Sequence, residues 1–262
     1  MCYIEGMIKI LITAGGTSEQ IDDVRRITNS GTGRLGAKIA DAFAGITDCA
    51  ITYICSENAA RPDSDADVRV CKSVADVKEA VELACADAEY DVIVHSMAIG
   101  DYQVRAVSDS AQMTASVIER LSVLACGDSS SPEEAVRDAL LSPPGIRENK
   151  ISSDKEDLIV VLKKAPKIIA LLRGLAPQAV IVGFKLLSGA SEEELVSAGL
   201  ALLKKNDCDL VLANDMDTVL SDRHEGLLIA RDGTYERAAG KDEIAKLICG
   251  RAMQTIWDVP YV

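Results

Sequence analysis

Short apolar runs alternate along this chain with stretches whose apolar residues recur at helical spacing. Ile8 to Thr13 is the first β-rich run, and Ala50 to Cys55, Val68 to Cys71, Asp91 to Met97, Asp157 to Leu162, Ala179 to Lys185 and Asp209 to Ala213 repeat the type. DVIVHSM and AVIVGFK are continuous rather than alternating, as strands buried on both faces are. Helices are predicted from about Thr32 to Ala44, Val74 to Ala88, Pro166 to Arg173, Ser191 to Lys205 and Asp242 to Ile256. Gly36, Ala37 and Ala40 leave the first helix slim enough to lie close on a sheet. Pro166 suits the first turn of its helix, and Ser191 ahead of Glu192, Glu193 and Glu194 supplies an N-cap with first-turn acids. A hairpin is expected over Val219 to Ala230, turning at Asp222 to Gly226. The alternation predicts an α/β fold: a Rossmann-like, doubly wound, mostly parallel sheet in which six parallel strands form two βαβ halves. Ligands would then sit above the carboxyl ends of the strands.

From Gly100 to Asn149 the rhythm breaks, and Ser, Pro, Asp and Glu become frequent, as in DSSSPEE and LSPPGIREN. The stretch is too long for an ordinary connection and predicts an insertion at about 102–149, a lid or dimerisation arm, with a short helix from Ser131 to Leu141. No internal repeat or linker stands out, so residues 7–262 are expected to form one domain with that insertion. Met1 to Gly6 are expected to be an extension ahead of Met7.

Composition narrows the chemistry. Of 262 residues, 48% are hydrophobic and only 3% aromatic, so the core is aliphatic. The net charge of −13 argues against nucleic acid and anionic membrane as partners. Eight cysteines, at 2, 49, 55, 71, 85, 126, 208 and 249, form no CxxC pair and no grouping with histidine. No dedicated metal site is expected. Several cysteines lie in apolar runs as small hydrophobes, which fits a cytoplasmic protein without structural disulfides. No apolar run approaches the ~20 residues that span a bilayer.

Between the first strand and the first helix lies a long polar connection with two glycine clusters, Gly15-Gly16 and Gly31-Thr32-Gly33. Glycines let backbone approach a ligand, and the N–H groups at a helix start face anions. Arg25, Arg26 and Arg34 add guanidinium forks suited to phosphate or carboxylate. A phosphate-bearing ligand is therefore expected here. Gly31 to Gly36 also reads as GxGxxG, the dinucleotide fingerprint, but it stands far beyond the end of the first strand, and no clear acid closes the second. An NAD(P)-binding oxidoreductase is thus the alternative, along with a catalytically silent nucleotide-binding module. His95 lies in a strand, as a core or pocket-lining residue, and His224 in the hairpin tip, solvated. No GxSxG elbow or GxxxxGK[ST] loop occurs.

The segment TAGGTSEQIDDVRRITNSGTGRLG resembles the opening of the phosphopantothenate–cysteine ligase family, in which a TAGxT loop is followed by an arginine, an asparagine and a Ser-Gly-containing turn. Further segments match in order. Met97-Ala98-Ile99-Gly100-Asp101-Tyr102 is similar to the family's A-V-x-D-Y, and Lys150-Ile151-Ser152-Ser153 to its K-I-x-S/K. Pro166-Lys167-Ile168-Ile169, Val182 to Lys185, and Lys205-Asn206 through Asp215 complete the set, which runs from about Met7 to Ile256. No flavin-dependent decarboxylase domain accompanies it, so the stand-alone form is expected.

The resemblance implies a two-step ligation in coenzyme A biosynthesis. The 4′-phosphopantothenate carboxylate attacks the α-phosphate of a nucleoside triphosphate, and cysteine then displaces the nucleotide to give the amide. CTP is taken as the nucleotide and ATP as the alternative, with Mg2+ carried by the triphosphate. Cytoplasmic homodimers are implied, with no nucleic acid or membrane as partner. Asn29 would hold the acyl-nucleotide, or else merely shape its turn. Lys150 would neutralise phosphate, or be a solvated loop lysine. Arg25 would bind phosphopantothenate or order its loop. Gly15, Thr17, Ser30, Gly31, Gly33 and Arg34 would form the anion loop. Met97, Ala98, Asp101, Pro166 and Ile168 would contact the nucleotide. Phe184 would pack on the base or fill the core, and Lys205 would reach the triphosphate. Met97 departs from the Ala found in many relatives, and the insertion is longer than in the fused enzymes.

Overall fold

The computed structural model describes residues 7–46, 48–125, 131–146, 149–219 and 224–258. The expected extension at 1–6 lies outside them. Along the chain run β1 (Ile8–Ala14), β2 (Ser18–Gln20), β3 (Arg26–Thr28), α1 (Arg34–Ala44), β4 (Cys49–Ser56), β5 (Asp67–Cys71), α2 (Val74–Asp87) and β6 (Val92–His95). They are followed by β7 (Tyr102–Ser108), α3 (Ser110–Ala125), α4 (Pro132–Leu141), β8 (Ile159–Lys164), α5 (Ile169–Leu175), β9 (Val180–Leu187) and α6 (Glu192–Asn206). The last are β10 (Leu210–Asp215), α7 (Met216–Val219), β11 (Glu225–Ala230), β12 (Tyr235–Ala239) and α8 (Lys241–Asp258). The chain divides into two compact units. The first comprises residues 1–17, 29–99 and 167–262, and the second residues 18–28 and 100–166.

The first unit is built on an eight-stranded sheet in the order β12-β11-β10-β9-β6-β1-β4-β5. The six strands from β10 to β5 are parallel, β11 pairs antiparallel with β10 and β12 antiparallel with β11, the mostly parallel α/β arrangement read from the sequence. β1 lies between β6 and β4 and is covered on both faces. Ile8, Ile10 and Ile12 share a core with Ile39 and Phe43 of α1 and with Ile248 and Met253 of α8. Leu11, Ile93 and Ile181 are fully buried on the opposite face. Each such side chain contributes roughly 1.5–3 kcal/mol by leaving water. Gly36 lets α1 approach β1, since a Cβ there would stand 2.6 Å from that of Ala14. Capping boxes at Ser73/Asp76 and Ser191/Glu194 start α2 and α6.

The expected hairpin is displaced. β11 and β12 are joined across Arg231 to Thr234, where Gly233 has φ +88° and Asp232 Oδ1 accepts from the Thr234 amide at 2.9 Å. Asp232-Gly233 is the stronger turn former, whereas 220–223 lie outside the described residues. His224 is therefore not a solvated tip. It is 4% exposed, its Nε2 lies 3.1 Å from Asn214 Nδ2, and burial, with Lys241 adding, pushes its pKa down to about 4.

In the second unit, β7 and β8 form an antiparallel ribbon pairing Tyr102 with Lys164 and Ser108 with Ile159. The run at Asp157 to Leu162, expected to resume the main α/β rhythm, belongs instead to this ribbon. Its partner β7 had no signal of its own inside the polar stretch. α3, also unpredicted, packs against α4, which opens with a Ser131/Glu134 capping box and Pro132. β2 and β3 form a short polar hairpin, pairing Ser18 with Thr28. Cys49, Cys55, Cys71, Cys85, Cys208 and Cys249 are free thiols, and Cys2 and Cys126 lie outside the described residues. No described helix is long and apolar enough to cross a membrane.

Candidate functional site

At the carboxyl edge of the first unit's sheet, three backbone segments are laced together just beyond β1. Ala98 N donates to Gly15 O at 2.8 Å, Thr17 N to Ala98 O at 3.1 Å, and Asn29 N to Thr17 O at 2.9 Å. Gly31 N donates to Asn29 O at 2.9 Å, and Gly16 N to the Ser56 hydroxyl at 3.2 Å. The glycines are dictated by sterics. A Cβ on Gly16 would stand 2.0 Å from Asn29 O, and one on Gly31 would stand 2.3 Å from Gly15 O. Gly15 has φ +92°, and Gly33, the residue ahead of α1, has φ +70°. The crossing fixes the Asn29 backbone while its side chain is exposed and makes no hydrogen bond among the described residues.

α1 begins without a side-chain cap or an acid in its first turn. Its first residue, the exposed Arg34, sits where the helix dipole disfavours a cation. A bound anion would satisfy both the free N–H groups and the arginine. Below, His95 Nδ1 lies 2.9 Å from Thr13 Oγ1, and burial pushes its pKa down to about 4, so the ring is neutral at pH 7.

The second unit holds a different cluster. Asp22 is buried, and its Oδ1 accepts from the amides of Val24 at 2.9 Å and Arg25 at 2.6 Å. Its Oδ2 accepts from Ile151 N at 3.1 Å and lies 3.2 Å from Arg25 Nε. Arg25 Nη2 donates to Ile151 O at 2.5 Å. Burial pushes the Asp22 carboxyl up, but the Arg25, Val24 and Ile151 amides and the Arg25 charge outweigh it, leaving the group below its ordinary value. Lys150, next to Ile151, is exposed.

A family model described as the DNA/pantothenate metabolism flavoprotein C-terminal domain matches residues 6–123 and 135–255. The chain belongs to this family. It is similar to the coenzyme A biosynthesis bifunctional protein CoaBC of Thermococcus kodakarensis, with 29% identity over 224 residues, covering 86% of this chain and 45% of that protein. The protein of the same name from Methanocaldococcus jannaschii is 26% identical over 250 residues, covering 95% and 51%. The chain spans about half the length of these curated relatives. The crystal structure of the DNA/pantothenate metabolism flavoprotein from Streptococcus pneumoniae superposes with a TM-score of 0.76 at 30% identity, covering 95% of this chain and 99% of that one.

Within this flavoprotein C-terminal fold, Gly15, Thr17, Asn29, Ser30, Gly31, Gly33, Arg34 and Ala98 gather around the crossing. In the second unit, Asp22 and Ile151 join Arg25 to the segment that carries the exposed Lys150. Asp101 and Pro166 flank the base of the ribbon there, where Ala165 N donates to Asp101 O at 2.9 Å. Met97 and Ile168 are 6% and 1% exposed, so their side chains fill the core and only their backbone can face a ligand. Phe184 is half-buried and packs on the main core. Lys205 is not brought to the carboxyl edge. It is exposed on the last turn of α6, which leads into the start of β10 at the opposite edge of the sheet. Sequence reasoning missed Asp22 and Ser56. An Asp three residues ahead of an Arg between two short polar strands was the signal for the former.

Proposed function

We propose that the chain is a phosphopantothenate–cysteine ligase acting in coenzyme A biosynthesis. The observation that carries this reading is the glycine crossing, which fixes an exposed carboxamide, Asn29, beside an uncapped helix start suited to anions. Membership of the flavoprotein C-terminal family and the name of the T. kodakarensis relative support it. A carboxylate oxygen of 4′-phosphopantothenate attacks the α-phosphorus of CTP, or of ATP, and the bond to pyrophosphate breaks. The cysteine amine then attacks the acyl carbon, the nucleoside monophosphate leaves, and the ammonium proton goes to solvent.

Carboxylate and triphosphate repel, so the site's task is to supply donors and positive charge. N–H groups around Gly15, Gly31 and Gly33, with Ser30 and Arg34, meet phosphate oxygens. The Asn29 amide donates to the acyl oxygen as negative charge develops there. Lys150 cancels phosphate charge during activation, and Arg25 receives the phosphopantothenate. Asp101 accepts hydrogen bonds from the nucleotide, and Pro166 contacts it too. In the first unit, the backbone of Met97, Ala98 and Ile168 and the side chain of Phe184 have the same ligand. Lys205 is left out of this set because of its place at the amino edge. Mg2+ enters with the triphosphate, held by phosphates and water. A cytoplasmic homodimer completes the proposal. The test is pyrophosphate release by purified protein given CTP or ATP, Mg2+, cysteine and 4′-phosphopantothenate. Release that depends on phosphopantothenate is expected. Tight NADPH binding with no release would replace the ligase by an oxidoreductase.

A further inference from the structure

We propose that Asp22 is a positioning residue that ties Arg25 to the segment carrying Lys150. The inference rests on the ligase reading, which gives those two cations their substrates. The two carboxylate oxygens have separate tasks. Oδ1 closes the turn between β2 and β3 by accepting from the Val24 and Arg25 amides. Oδ2 reaches a stretch 129 positions along the chain, accepting from Ile151 N, and faces Arg25 Nε. Arg25 completes the ring by donating to Ile151 O, and Asp23 N donates to Asn149 O at 2.9 Å. The residues on both sides of Lys150 are thus pinned to one turn.

The Asp22 side chain is 0% exposed while that of Arg25 is 38% exposed. A buried carboxylate is tolerated only when its oxygens are paired, and here the pairing fixes two of the three guanidinium nitrogens. Nη1 remains to meet an anionic oxygen with the group's rotation already frozen. The backbone on both sides of Lys150 is held as well, so the guanidinium and the segment carrying Lys150 are placed before substrate arrives.

Asp22→Asn cuts this arrangement selectively. It keeps an acceptor oxygen for the turn but replaces Oδ2 with an NH2 group opposite the Ile151 and Arg25 donors. The expected result is a rise of about 10–100-fold in KM for phosphopantothenate. A smaller folded fraction alone would lower kcat and leave KM unchanged. In an Arg25→Lys background the same substitution should cost less than about threefold, because the partner's fork is already gone. An unchanged KM, or equal losses with and without Arg25, would overturn the inference while leaving the ligase reading intact. No pyrophosphate from the natural sequence would overturn both. Should Asp22→Asn not fold, Arg25→Lys with Asp22 retained is measured by hydrogen exchange. Faster exchange at Lys150 to Ser152 supports the tie, and unchanged exchange overturns it.

Discussion

Around Gly16 the backbone of one loop lies against that of another with no room for a side chain, whereas at Asp22 one buried carboxylate gathers donors from two stretches far apart in sequence. The first hold is steric. It is indifferent to charge and salt, and fails when anything is added. The second is electrostatic, and fails when one oxygen is protonated or exchanged. The two units of the chain thus fix their loops by different physics, and each hold has its own way to be broken.

The largest effect is expected from Gly16→Ala. The new Cβ meets a carbonyl oxygen rather than a flexible side chain, so backbone must move, at a cost of about 3 kcal/mol or more. Urea unfolding should show the loss, and ligation should fall with it. Unaltered stability would mean that the crossing is looser than described.

Acid separates the two units, through buried histidines that lie outside the glycine crossing. His95 is buried as the neutral ring, with its pKa pushed from 6.5 to about 4. A depressed histidine contributes stability that is present above its unfolded pKa. This is lost as pH falls from about 6.5 to 4, because the unfolded chain takes up the proton first, and the loss is roughly 3 kcal/mol. His224 acts in the same direction and window. Asp22, lowered from 3.8, holds its contribution down to that pH and loses it only as pH falls through its lower folded value. Hydrogen exchange from pH 7 to 3, corrected for intrinsic rates, should therefore show the first unit loosening before the Ile151 amide does. The reverse order would contradict the comparison.

The smallest effect is a control of opposite sign. Gly174, exposed near the end of α5, has nothing within 4 Å of an added Cβ. Gly174→Ala should raise stability by about 0.4–1 kcal/mol, with activity unchanged. A loss would show that glycine is needed where no crossing demands it.

The sequence revealed what burial imposes and concealed what tertiary contact imposes. β1, β6, β9 and β10 were legible because strands covered on both faces must be apolar throughout. β2 and β3, SEQ and RIT, are polar and three residues long, and no periodicity announces them. β7 and β8 are only half-buried, so their pairing was hidden inside an apparent insertion. The glycine clusters marked a loop of close backbone approach, whereas Asn29 was singled out only by the family resemblance. Asp22 was silent because its decisive partner, Ile151, is remote along the chain. The place of Lys205 followed from topology alone, since a helix leading into a parallel strand ends at the amino edge.

The β7–β8 ribbon also bears on how the molecule is made. β6 must pair with β9, and the chain from Ser96 to Ala179 intervenes. Closing a flexible loop costs entropy that grows with the logarithm of its length, about 0.6 kcal/mol per doubling. Once Tyr102 has paired with Lys164, and Asp101 O has met Ala165 N, the intervening chain begins and ends at one point. Only the short stretches Ser96 to Gly100 and Pro166 to Ala179 then remain to be closed. A ribbon that forms while later segments are still being synthesised would turn a slow long-range pairing into a short-range one.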